Sequence, residues 1–246
     1  MNNLLRFVAF HGDQTVKIDV VLDTEKIVHM GEIVRDDDVE KWEIDLDAPL
    51  RTDYLEISKE TGIPVWFVML SSTLAAHMAE ADAGKFMVAL VNAIPAGVDV
   101  SLVWPKFVQE LLRAGNNALG ACIAGDKQTS ALIHVKTLHK MSNPDLESFA
   151  RKARETFELA SQCNDPAQGY ALEAASAMCW ASYYGGYGGT VAETKSARLA
   201  VNACHCAVQA MILLEGPVFD YCSAYAFIGQ TLVECVESTF SQSQQN

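Results

Sequence analysis

"TVKIDVVLD", residues 15–23, is the stretch whose reading decides the architecture. Val16, Ile18, Val20 and Leu22 alternate with Lys17, Asp19 and Asp23, which is the period of two expected of a strand with one wet face. "LLRFVAF" precedes it, and the intervening "HGDQ" puts Gly12 and Asp13 at the centre of a turn, so the two segments read as a hairpin. "EKIVHMGEIV" and "KWEIDL" add one or two further short strands. A small antiparallel sheet is therefore expected over residues 1–48.

From about residue 49 the pattern becomes helical. "TGIPVWFVMLSSTLAAHMAEA" offers Thr61 as a cap and Pro64 near the first turn. "KFMVALVNAI" is closed by Pro95 and Gly97, and "LVWPKFVQELLRAG" runs from a capping Ser101 to Gly115. "SNPDLESFARKARETFELASQC" has Asn143 as N-cap, Pro144 at the first helical position and an apolar stripe of Leu146, Phe149, Ala153, Phe157 and Ala160. Three helices follow, over about 167–184, 191–214 and 218–240, rich in Ala, Cys, Ser and Met on nearly every side, as expected of helices that approach closely. The fold class is thus α+β, predominantly α-helical, with a small N-terminal antiparallel sheet packed on a helical bundle. The divisions are 1–48, a helical region 49–142, an alanine-rich bundle 143–240 and a frayed tail 241–246, all in one compact domain.

With 246 residues, half of them apolar, the chain can bury a continuous core. The N-terminal apolar run is interrupted by Arg6 and closed by His11, and later apolar stretches are broken by Lys85, Asn92, Pro95 or Glu215. This reads as a soluble protein without a membrane partner. The seven cysteines are an odd number with no CxxC pair, which argues against a secreted disulfide framework and for the cytoplasm. A net charge of −13 argues against nucleic acid as a partner, since a polyanion needs a cationic surface.

The acidity is concentrated near the start: residues 1–60 carry fifteen Asp and Glu against seven Lys and Arg. "RDDDVEKWEIDLDAP", residues 35–49, alone holds Asp36, Asp37, Asp38, Glu40, Glu43, Asp45 and Asp47. An EF-hand starting at Asp36 would need glycine where Lys41 stands and glutamate where Asp47 stands, so that pattern fails. As a strand, the stretch would present Glu43, Asp45 and Asp47 on one face and Trp42, Ile44 and Leu46 on the other. Such a carboxylate row steers a cationic protein and pairs with its Arg and Lys, although a merely solvating face accounts for the same residues.

No motif names a reaction. There is no GxSxG elbow, and in "NACHCAV" neighbours on a helix project about 100° apart, so Cys204, His205 and Cys206 do not converge on one metal. HxxE occurs at His29/Glu32 and His77/Glu80, and the second reads as a surface or cap pair on one helix. "YYGGYGGT" reads as an interhelical turn whose tyrosines cover the bundle end; a phosphate cradle would want a preceding strand and GxxxxGK[ST]. No catalytic residue, metal or cofactor is expected.

"FMVALVNAIPAGVDVSLVWPKFVQELL", residues 86–112, and the alanine-rich "DPAQGYALEAASAMCWASYYGG" and "KSARLAVNACHCAVQA" resemble immunity proteins of bacterial polymorphic-toxin and contact-dependent inhibition systems. The resemblance covers about a third of the chain, and Cys, Met and Tyr stand where the family is rich in Ala and Arg. It implies a cytoplasmic protein that binds a cognate toxin and blocks it, and carries over no binding residue; the acidity of the chain fits a basic toxin, with Asp36, Asp37, Asp38, Glu40, Glu43, Asp45 and Asp47 taken from their charge as the partner surface. The alternative is a helical-bundle enzyme or small-molecule binder with a pocket near Trp180, His205, Tyr221 and Tyr225. A third reading is a scaffold that self-associates as a homo-oligomer through its small-residue helices.

Overall fold

The computed structural model describes residues 8–29, 52–113, 118–216 and 219–241. They form ten α-helices: α1 (Gln14–His29), α2 (Thr52–Thr61), α3 (Val65–His77), α4 (Glu80–Ala93), α5 (Val103–Leu111), α6 (Asp126–Lys140), α7 (Leu146–Ser161), α8 (Pro166–Gly185), α9 (Thr190–Glu215) and α10 (Tyr221–Phe240). Among the described residues there is no strand, and the one isolated bridge, antiparallel, joins Val8 to Asp99. The expected N-terminal sheet, and with it the α+β class, is overturned: residues 15–23 lie within α1, in a bundle that is helical throughout the described residues. "KWEIDL", Gly115 and residues 242–246 lie outside the described residues.

The reason lies in which apolar residues point inward. On a helix, a step of two residues turns a side chain through about 200°, so Val16 and Val20 share a face while Ile18 and Leu22 fall on the other. Val16, Val20 and Val21 pack against the core, and Ile18 and Leu22 are 49% and 56% exposed. Asp13 is a helix cap rather than a turn centre: its Oδ1 accepts from the Thr15 amide at 2.7 Å. The Lys17 ammonium donates to the Asn92 carbonyl at 3.0 Å, tying α1 to α4.

Three helix starts also move. Thr61 is the last residue of α2, its hydroxyl bonded back to the Ile57 carbonyl at 2.6 Å, and Pro64 is the N-cap of α3. Asp99, not Ser101, caps the short 3₁₀ turn before α5, accepting from both the amide and the hydroxyl of Ser101. Asp145, not Asn143, is the N-cap of α7. Along α7, Phe149, Ala153 and Ala160 are buried as the stripe requires, but Phe157 is 58% exposed and Thr156 takes the inward position.

The long helices at the centre are held close by small residues. Ala171, Ala174, Ala175 and Ala181 of α8, and Ala197, Ala203, Ala207 and Ala210 of α9, are buried. Ser176 and Ser196 donate 2.8 Å hydrogen bonds to the carbonyls of Ala153 and Ala181 on neighbouring helices, which only a close approach of backbones allows. Ala181 opposite Ser196 and Glu173 opposite Cys206 show that α8 and α9 run antiparallel. α3 and α10 pack on α9, α10 also contacts α4 and α5, and α6 and α7 cover the other side of α8. By length and composition α9 is apolar enough to cross a membrane, contrary to the expectation from Glu215; 67% of that apolar stretch is buried within the bundle.

The segment just before α1, residues 8–12, is a strained turn. Phe10 and His11 are left-handed, with φ of 53° and 51°, a conformation that costs about 1–2 kcal/mol per residue. The Phe10 side chain is completely buried, and the Ala9 amide and carbonyl bond to Val98 and Gly97 at 2.9 Å. Gly62 (φ +67°) faces this turn, and a Cβ there would lie 2.3 Å from the Val8 carbonyl oxygen.

Candidate functional site

Four polar or aromatic groupings stand out, and the sequence reading touches three. The first, which it does not touch, joins helices distant in the chain. On α6, Nδ1–H of His139 donates to the Val135 carbonyl at 2.9 Å, which leaves Nε2 to accept from the Ser182 hydroxyl of α8, also at 2.9 Å. The Ser182 oxygen in turn accepts from the indole N–H of Trp104 on α5 at 2.9 Å. The order Ser–His–oriented Nδ1 is that of a nucleophile and its base. Here, however, burial lowers the His139 pKa to about 4, and a helix carbonyl stands where a carboxylate would stabilise the imidazolium. This group is a polar pin through α5, α6 and α8, whose imidazole burial keeps in the neutral form.

The second grouping lies where α3, α9 and α10 meet. His77, the last residue of α3, stacks on the Tyr225 ring at 4.5 Å, and its Nδ1 bonds the Thr73 carbonyl at 2.8 Å. His205 of α9 accepts the Tyr225 hydroxyl at Nδ1, and burial, then the neighbouring His77, lower its pKa to about 4. Tyr221, one turn before Tyr225, exchanges hydrogen bonds with Gln209 at 3.1 and 3.3 Å. The reading of His77 and Glu80 as a pair on one helix is corrected: α3 ends at His77 and Glu80 opens α4.

On either side of His205 the thiols face elsewhere. Cys206 points toward Glu173 of α8, and burial pushes its pKa up to about 12; Cys204 is buried and pushed up further. All seven cysteines are free. Among the described residues no three of His, Cys, Asp and Glu converge as metal ligands.

The third grouping is the tyrosine-rich end of α8. Tyr183, Tyr184 and Tyr187, with Gly188, Gly189 and Lys195, line an open groove of about 490 Å³. Tyr183 meets Tyr184 at 5.2 Å and 78°, and Tyr187 at 4.9 Å and 67°. Trp180 backs them, with the Arg154 guanidinium 5.4 Å from its ring, while the Lys195 ammonium lies 5.8 Å from that of Tyr184. The four residues expected to share a pocket are thus divided: Trp180 packs behind the tyrosines of this groove without lining it, and His205, Tyr221 and Tyr225 belong to the α3–α9–α10 junction.

The last grouping is acidic. The expected partner residues Asp36, Asp37, Asp38, Glu40, Glu43, Asp45 and Asp47 lie outside the described residues, as does Glu32. Elsewhere, Glu110 and Lys106 of α5 and Glu234 and Glu237 of α10 border a shared surface groove. Glu110 is partly engaged by Arg113 at 3.7 Å, in an exposed pair that contributes little to stability. Neither the His139–Ser182 pin nor the Tyr225 stack is signalled by any local motif, because each joins residues dozens of positions apart. Comparison with protein-family models, curated proteins and solved structures finds no match.

Proposed function

We propose that this chain is a binding protein of the immunity type, which neutralises a cognate, basic toxin by occluding it through an acidic surface. The distribution of charge carries the reading. A net charge of −13 includes seven carboxylates within residues 35–49, and Glu110, Glu234 and Glu237 add an acidic groove between α5 and α10. Such a field speeds encounter with a cationic protein and pairs with its Arg and Lys on contact. The resemblance of the alanine-rich helices to immunity proteins points the same way, and with it a cytoplasmic site of action.

The test is co-expression with the product of the neighbouring reading frame in a bacterial host. Protection from growth arrest, together with a stoichiometric complex of the purified proteins, is the expected outcome. A neighbouring product that is harmless, or that kills unabated and forms no complex, contradicts the proposal.

A further inference from the structure

We infer that the cavity between the strained turn, the α2–α3 junction and the first turn of α9 binds a small zwitterion with an apolar body, a free apolar amino acid or its dipeptide. Its volume of about 410 Å³ falls in the range of small-ligand sites. Val8, Leu55 and Val65 supply apolar wall, while Lys59 of α2 and Glu193 of α9 are the one ammonium and the one carboxylate among the lining residues. His11 lines the cavity too, and its Nε2–H donates to the Lys59 carbonyl at 2.9 Å, which leaves Nδ1 as an acceptor. This wall rests on the left-handed turn. A Cβ at Gly62 would lie 3.3 Å from His11 Cε1 as well as against the Val8 carbonyl, so no larger residue fits behind it. Backbone strain such as that at Phe10 and His11 persists only where the surroundings over-determine it, and it concentrates at ligand sites.

Charge selects a ligand that carries both signs. Glu193 is half-buried, and burial raises its pKa with no neighbouring cation to offset it. Among the described residues neither the Glu193 carboxylate nor the Lys59 ammonium is held in an ion pair. A ligand ammonium at Glu193 supplies the charge-assisted hydrogen bond that the carboxylate lacks, and a ligand carboxylate does the same for Lys59. A ligand with one charge satisfies one of the two and desolvates the other without return. The apolar body then lies against Val8, Leu55 and Val65, where it gains by leaving water. The toxin-binding proposal uses none of these residues, so either reading can fail alone.

The experiment titrates the full chain with L-leucine, L-leucyl-L-leucine, isoamylamine and isocaproate, followed by calorimetry and ligand-observed NMR. At least one of the two zwitterions is expected to saturate with a Kd below about 1 mM. Leucine alone would assign a free amino acid, and the dipeptide alone a ligand whose two charges stand farther apart. Isoamylamine, which keeps only the ammonium, and isocaproate, which keeps only the carboxylate, are each expected to bind at least about fivefold more weakly. Lys59→Gln, an exposed change, should weaken zwitterion binding at least about fivefold with an unaltered melting curve, and Glu193→Gln should weaken it by at least as much. Failure of both zwitterions to saturate, equal binding of either singly charged analogue, or zwitterion binding unchanged in Lys59→Gln overturns the inference.

Discussion

Mild acid should destabilise this protein through two histidines that the fold keeps neutral. His139 and His205 have ordinary values of 6.5 and are lowered to about 4 by burial. Below pH 6.5 the unfolded chain takes up protons that the folded chain refuses. Stability is therefore whole above that pH and falls progressively until pH nears 4, where the folded histidines also protonate. Between pH 7 and pH 5 each group costs about 2 kcal/mol, or about 4 kcal/mol together. For a chain of this size that corresponds to a fall in Tm of roughly 8–16 °C.

Carboxylate titration also changes across this interval, so the informative quantity is a difference. Urea unfolding at both pH values is compared between the natural chain and the double variant His139→Gln, His205→Gln. The variant is less stable at pH 7, having lost both hydrogen-bonded imidazoles, but should lose about 4 kcal/mol less on acidification. Single variants should each recover about half of that. Equal losses in the natural chain and the double variant would show that neither histidine is held neutral.

Other substitutions probe the packing. Gly62→Ala combines a left-handed φ of +67° with a 2.3 Å approach to the Val8 carbonyl, and should cost at least about 2 kcal/mol in thermal unfolding. Trp104→Phe removes the donor to Ser182 while keeping most of the ring, and should cost about 1–2 kcal/mol in the same assay. Phe149→Ala should cost about 3–5 kcal/mol, whereas Phe157→Ser, on the exposed side of α7, should change stability by less than about 0.5 kcal/mol. Equal costs at the two phenylalanines would mean that α7 is rotated from its described position.

The helices of the second half were legible because composition and punctuation agree there. Pro166 opens α8 behind Asp165, Gly189 and Gly216 bracket α9, and small residues cover most faces, so few alternatives compete. α1 was not legible, because Val16, Ile18, Val20 and Leu22 satisfy a period of two while Val16, Val20 and Val21 also satisfy a helical face. Burial, which decides between them, depends on α4 some seventy residues away. α6 escaped notice because its polar residues spread round the helix and only Ala131, Leu132, Val135 and His139 are buried.

Of the candidate sites, the tyrosines of "YYGGYGGT" were visible as cover for one end of the bundle, but their assembly with Lys195 into a groove depends on the turn between α8 and α9. The contacts of His77 and His205 with Tyr225, and of His139 with Ser182, are products of tertiary packing. No local spacing encodes them.

The central claim, recognition of a basic partner through acidic surface charge, is tested most directly by the association rate with the neighbouring frame's product as ionic strength rises. Electrostatic steering predicts a fall of at least about tenfold between roughly 50 mM and 500 mM salt. It also predicts a flatter dependence when Asp36, Asp37, Asp38, Glu43 and Asp45 are replaced by their amides, and flatter still when Glu110, Glu234 and Glu237 are changed as well. A rate that ignores salt, or one that the amide substitutions leave unchanged, would contradict it.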